Sequence, residues 1–248
     1  MNETISNAQM RLLAQQVANL ILENKDCRRV IEILKPILDF KCPFSKLDLL
    51  GKEIGQAAAT ANGIQKQQFL KAFDKIIEYG AMGSFVIVSQ ALTPLLERNF
   101  EKVLEKSREY IIKGDKWYVC DIIGERSLGQ ALVNHFDKTL PWLQKFLEDK
   151  SKWVKRSVGV AIHLFSKRVR DAPKKANKLL NLVEPYIEET QVDVVKGIGW
   201  GLKTIGKHHP GILEAFLEEQ IKAHRKISKV MMKKARTYLL RTGSEPKF

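Results

Sequence analysis

Apolar residues recur at three- and four-residue steps along most of the chain, as in Leu12, Leu13, Val17, Leu20 and Ile21, or Leu92, Leu95, Leu96, Phe100 and Val103. That spacing lines one face of a helix, and no stretch with the alternation of a half-buried strand emerges beside it. The pattern predicts an all-α fold. Punctuation divides it into roughly a dozen helices by the usual start and stop signals. Pro36 and Pro43 flank one expected break, and Gly63 and the Gly80-Ala81-Met82-Gly83 stretch mark others. Gly114-Asp115 precedes a further helix, while Thr139 with Pro141, Ser151, Pro173 and Pro210 fit helix starts.

The second half reads as paired helices near 139–170, 173–207 and 210–241, each unit being about 30–40 residues long, which is the period of a helical repeat. Near the start of the second helix of each pair an apolar residue is followed by a basic one: Trp153-Val154-Lys155-Arg156, Asp193-Val194-Val195-Lys196 and Ile227-Ser228-Lys229. This resembles the HEAT pattern. The expected architecture is therefore an α-solenoid, with HEAT-like repeats forming a curved superhelical array as a single domain over 1–248. Stacking such pairs would bring the second helices to one concave side and set Lys155, Arg156, Lys196 and Lys229 in a stripe able to follow a phosphate backbone. No repeat is evident before residue 83.

Charge changes the picture in the same direction. Lys plus Arg total 42 against 28 Asp plus Glu. Residues 1–137 hold 18 basic and 17 acidic side chains, and residues 138–248 hold 24 and 11, so nearly all of the excess lies in the second half. A polyanionic partner suits that asymmetry, although a solubilising surface would also produce it. Hydrophobic residues make up 44% of the chain and charged residues 28%, a globular composition without a run long enough to cross a membrane. Met1-Asn2-Glu3-Thr4 does not begin a secretory leader, and cytoplasm is the expected compartment. Cys27, Cys42 and Cys120 are far apart and read as core thiols, and His135, His163, His208, His209 and His224 include no metal-binding spacing, so neither a metal nor a cofactor is expected.

Two segments carry candidate chemistry. In Lys116-Trp117-Tyr118-Val119-Cys120-Asp121-Ile122-Ile123 a helix would put Trp117 and Asp121 on one face, an indole beside a carboxylate; a core tryptophan and a surface aspartate satisfy the same pattern. In Lys196-Gly197-Ile198-Gly199-Trp200-Gly201-Leu202 three glycines alternate through a helix that each weakens by about 1 kcal/mol relative to alanine. Close approach of a neighbouring helix or of a DNA backbone would account for them, with Trp200 left projecting into a groove. No strand precedes them, so they are not a dinucleotide fingerprint. Arg156, three residues after Trp153, suits either a phosphate or a salt bridge between repeats.

Trp117 with Asp121, Trp153 with Arg156, and Gly197-Ile198-Gly199-Trp200, in this order within a basic helical array, resemble the AlkD-type DNA alkylation repair proteins. The resemblance runs from about residue 40 to 240 and is clearest over 116–210. It implies a HEAT-like N-glycosylase, a monomer acting on duplex DNA, that releases cationic 3- and 7-alkylated purines without a base-flipping pocket. Trp117, Asp121 and Trp200 fall on the family's cleft residues and Arg156 on its DNA-backbone arginine. The chain departs from the family at Tyr118, where an acidic residue commonly follows the tryptophan, and about residues 1–40 give no match.

The residue types suit that chemistry. An alkylated purine is already a good leaving group, so cleavage needs chiefly a carboxylate to stabilise the oxocarbenium-like sugar and to position water. Indole faces can pack on the deoxyribose and favour nearby positive charge by about 0.5–2 kcal/mol. On this reading Trp117 and Trp200 are partly exposed and face one groove. A non-excising DNA-binding relative, or a protein-binding scaffold with both indoles in its core, are the alternatives.

Overall fold

A computed structural model describes residues 5–23, 27–39 and 42–239; the Met1–Thr4 segment lies outside them. The described residues are predominantly helical and contain no strand. The chain divides into two compact units, Met1–Gly114 and Asp115–Phe248.

The first unit comprises α1 (Asn7–Leu22), α2 (Cys27–Asp39), α3 (Phe44–Thr60), α4 (Gly63–Glu78), α5 (Met82–Leu92) and α6 (Leu96–Gly114). Polar side chains start two of these helices. Ser6 with Gln9, and Asn62 with Gln65, form capping boxes in which each partner satisfies an orphan backbone N–H of the first turn. The break flanked by Pro36 and Pro43 falls between the end of α2 at Asp39 and the start of α3 at Phe44, which Pro43 caps, and α2 runs through Pro36. Pro36 lies on the exposed side of α2, where water can satisfy the carbonyl that loses its helical donor. The break at Gly80 is real, with φ at +77°, a conformation that strongly favours glycine.

The second unit contains α7 (Trp117–Ile123), a π-helical turn (Gly124–Leu128), α8 (Gly129–Asn134), α9 (Phe136–Leu147), α10 (Lys152–Arg168), α11 (Pro173–Val183), α12 (Val192–His208), α13 (Pro210–Lys222) and α14 (Lys229–Ala235). The three expected helix pairs are α9 with α10, α11 with α12, and α13 with α14; residues 240–241 of the third lie outside the described ones. Pro173 and Pro210 open their helices as expected, their missing N–H falling where no helical acceptor exists. Thr139 and Pro141 do not start one. The helix begins at Phe136 and carries Pro141 on its exposed side, while the Thr139 hydroxyl donates back to the His135 carbonyl.

Helix α10 is the centre of this unit. It packs on α7, the π turn, α8 and α9 on one side and on α12 on the other, which is why Val154, Val158, Val160, Ile162 and Phe165 are buried around most of its circumference. Helix α12 in turn packs between α10 and α14, so the second helices of the three pairs lie in sequence. Cys120 of α7 is buried, and Cys27 and Cys42, in the first unit, are half-buried; all three are free thiols.

Candidate active site

The site is built where α7, α10 and α12 meet within the second unit. The chain leaves α6 through Asp115, whose φ is +43°, and the Trp153 indole N–H donates to the Asp115 carboxylate at 2.9 Å. That bond ties the start of α7 to the first turn of α10. Trp153 is thus the buried tryptophan of its motif, at 8% exposure.

Trp117 opens α7 at 59% exposure and packs edge-on against Tyr118. Asp121 follows one turn later, while Val119, Cys120, Ile122 and Ile123 bury the opposite face. Arg156 of α10 grips the Asp121 carboxylate with both arms of its fork: Nε donates to Oδ1 and Nη2 to Oδ2, each at 2.8 Å. Nη1 also donates to the Asp193 carbonyl of α12 at 3.3 Å, so one guanidinium joins three helices. Both side chains are largely buried, at 10% and 17% exposure. Charge-assisted pairing in this two-point geometry fixes the direction of the carboxylate as well as its place.

The glycines of α12 explain how Arg156 reaches that far. A Cβ on Gly197 would stand 2.6 Å from the Arg156 carbonyl oxygen and 2.8 Å from its Cγ, so only glycine leaves room for the arginine stem. Gly201 faces α10 in the same way, and Gly199 faces Lys234 and Met231 of α14. Close approach is therefore the reason for all three, and in each case the partner is a neighbouring helix.

Trp200 is half-buried and stacks on the His163 imidazole of α10, with ring centroids 4.2 Å apart and planes 25° from parallel. The Thr204 hydroxyl donates to the Trp200 carbonyl at 3.1 Å, so its oxygen accepts from His163 Nδ1 at 2.7 Å. In the neutral ring with its hydrogen on Nδ1, Nε2 is an acceptor, 3.9 Å from Glu125 Oε1 of the π turn. Burial, with Lys167 and Lys203 adding to it against Asp121, lowers the His163 pKa to about 4.

Of the predicted lysines, Lys196 and Lys229 are exposed and Lys155 is half-buried, each in the first turns of α12, α14 and α10, and none forms an ion pair among the described residues. The sequence pattern did not single out Lys234. Burial, followed by Lys203, Arg156 and Lys196, lowers its pKa, which marks a group of cations crowded together without enough carboxylate to balance them. Nor did it mark His163 and Glu125 as site residues. Both were legible as helix-face neighbours, Glu125 lying one turn past Asp121 and His163 two turns past Arg156. Among the described residues no group of three or more His, Cys, Asp or Glu comes together as metal ligands.

Residues 40–239 match the DNA alkylation repair enzyme family, which spans four-fifths of the chain and includes every residue of this site. The chain belongs to the DNA alkylation repair enzyme family. The fold agrees with that membership. A solved structure of Pseudomonas fluorescens alkylpurine DNA glycosylase AlkC, bound to DNA containing an abasic site analog, superposes with a TM-score of 0.61 over 96% of this chain at 14% identity. The chain spans 64% of the length of that glycosylase chain. No curated protein matches the sequence.

Proposed function

We propose that this chain is an AlkD-type N-glycosylase that releases cationic 3- and 7-alkylated purines from duplex DNA. The observation that carries the reading is Asp121, a carboxylate held in one direction by the Arg156 fork, one helical turn from an exposed tryptophan. Oδ1 accepts from Arg156 Nε and from the Cys120 thiol at 3.6 Å, while Oδ2 accepts from Arg156 Nη2 alone and keeps lone-pair density for a second partner. As the glycosidic bond lengthens, positive charge grows on the sugar, and a preorganised carboxylate stabilises it without having to reorient. Trp117 and Trp200 supply indole faces for the deoxyribose, the second held in place by its stack on His163.

Three of the five Arg156 N–H groups bond to Asp121 and Asp193, and the remaining two suit a backbone phosphate. Lys155, Lys196 and Lys229, none of them ion-paired among the described residues, supply further phosphate contacts. The AlkC structure that shares this fold holds DNA with an abasic site analog, the kind of DNA that base release leaves behind. Neither a metal nor a cofactor enters this hydrolysis, and a monomer suffices. Incubation with methylated duplex DNA, followed by chromatography of the released bases, should yield 3-methyladenine and 7-methylguanine. Tight binding without release would identify a non-excising relative.

A further inference from the structure

His163 and Glu125 present two hydrogen-bond acceptors to one small gap. The Thr204 hydroxyl oxygen lies 2.7 Å from Nδ1 and 3.1 Å from the Trp200 carbonyl, and in the tautomer that donates from Nδ1 to it Nε2 carries no hydrogen. Glu125 Oε1 stands 3.9 Å away, too far for a direct bond, and in that tautomer neither atom has a hydrogen to give the other. Two acceptors at this spacing can be joined by one water that donates a hydrogen to each, with bonds of about 2.8 Å. Both side chains are reachable, at 14% and 35% exposure, and the gap lies beside the Trp200 indole and the turn that follows Asp121.

We propose that His163 and Glu125 hold the attacking water of the glycosylase reaction by its two hydrogens, leaving Asp121 to stabilise the sugar cation. The assignment rests on the glycosylase reading. It divides the work in a way that the Arg156 grip favours, since Asp121 already accepts a bond from arginine on each oxygen. A water held by both hydrogens turns its lone pairs away from its holders. The C1′–N bond breaks with its electron pair passing to the alkylated purine, which leaves as a neutral base. The water oxygen then forms the new C1′–O bond, and one of its protons passes to the Glu125 carboxylate and on to solvent. His163 accepts a hydrogen bond throughout and takes no proton. The charged groups that face it are Lys167 on α10, Lys203 on α12, Asp121 on α7 and Glu125 on the π turn.

The test is single-turnover release of 7-methylguanine by saturating full-length protein, with DNA affinity and thermal melting measured alongside. His163→Phe keeps a ring against Trp200 and removes the acceptor, whereas His163→Gln loses the ring and returns an amide oxygen near the Nε2 position. The His163→Phe change should lower the release rate about tenfold or more with affinity within about twofold, and His163→Gln should recover part of the loss. Glu125→Gln should fall as far as His163→Phe. Nitrogen NMR of the wild type should show the Nδ1–H tautomer at neutral pH. Wild-type rates in His163→Phe, or equal losses in His163→Phe and His163→Gln, overturn the water assignment while the glycosylase reading stands. An Nε2–H tautomer overturns it independently of activity, and no base release by the wild type overturns both.

Discussion

Gly197→Ala tests the packing on which the whole site depends. In an ordinary helix the change would stabilise, by about 0.8–1 kcal/mol of helix propensity. Here the new methyl would meet the Arg156 carbonyl oxygen at 2.6 Å, its Cγ at 2.8 Å and its Cα at 3.0 Å, against an ordinary contact distance of 3.4 Å or more. Two of those atoms are backbone, so no side-chain rotation relieves the clash. The helices must part by about half an ångström or more, and overpacking of this kind costs about 1–3 kcal/mol. The expected net effect is a loss of up to about 2 kcal/mol, where propensity alone would give a gain.

The displacement falls on the residue that grips Asp121 through bonds of 2.8 Å, so base release should slow by about tenfold, a modest share of what ångström-scale misplacement can do. Urea denaturation and single-turnover release measure the two effects. Gly211→Ala is the control: it lies in α13 with nothing within 4 Å of a new Cβ, and should be neutral or stabilising by up to about 1 kcal/mol. A Gly197→Ala protein as stable and as active as the parent would refute the argument that glycine is there to admit Arg156.

Acid should weaken the fold through His163. The unfolded ring takes a proton near pH 6.5 and the folded one only at about 4, so protons favour the unfolded chain; the contribution is whole above about 6.5, is lost as pH falls towards 4, and amounts to at most about 3 kcal/mol. Urea midpoints at pH 7 and 4.5 should therefore converge in His163→Phe relative to the parent, and an unchanged pH dependence would contradict this assignment. Arg156→Ala leaves a largely buried Asp121 without its partner and should cost about 3 kcal/mol, with Arg156→Lys recovering little because an ammonium cannot fork; a melting temperature equal to the parent's would mean that the pair does not matter. Lys155→Ala, Lys196→Ala and Lys229→Ala should each weaken DNA binding and lower the salt-dependence slope by about 0.9, as expected for one phosphate contact each. A slope that does not move removes that lysine from the interface.

Periodicity carried the helices well because most of them, α5, α10 and α12 apart, bury a single face, and the three pairs of the second unit follow from it. It failed at Thr139 and Pro141, where a proline on an exposed side loses a bond that water can replace. The glycines of α12 were recognisable as a demand for close approach, but the sequence held nothing to say that α10 and α14, rather than DNA, are what approaches. Trp117 and Asp121 could be placed on one face from their spacing alone. Their relation to Arg156 could not, because a contact between residues 35 positions apart is made by packing and leaves no local pattern. His163, Glu125 and Lys234 were missed for a different reason: a single histidine, glutamate or lysine on a helix face becomes informative only when a neighbouring helix supplies its partner.

The most direct test of the account is the release of 7-methylguanine from methylated duplex by Asp121→Asn protein beside the parent, under single-turnover conditions with DNA affinity measured in parallel. Asparagine keeps the shape and loses the charge. The account predicts that release slows by about a hundredfold or more while affinity stays within a few-fold, since removing one preorganised electrostatic group from a transition state has effects of that size. Release at the parent's rate would contradict it and take Asp121 out of the chemistry.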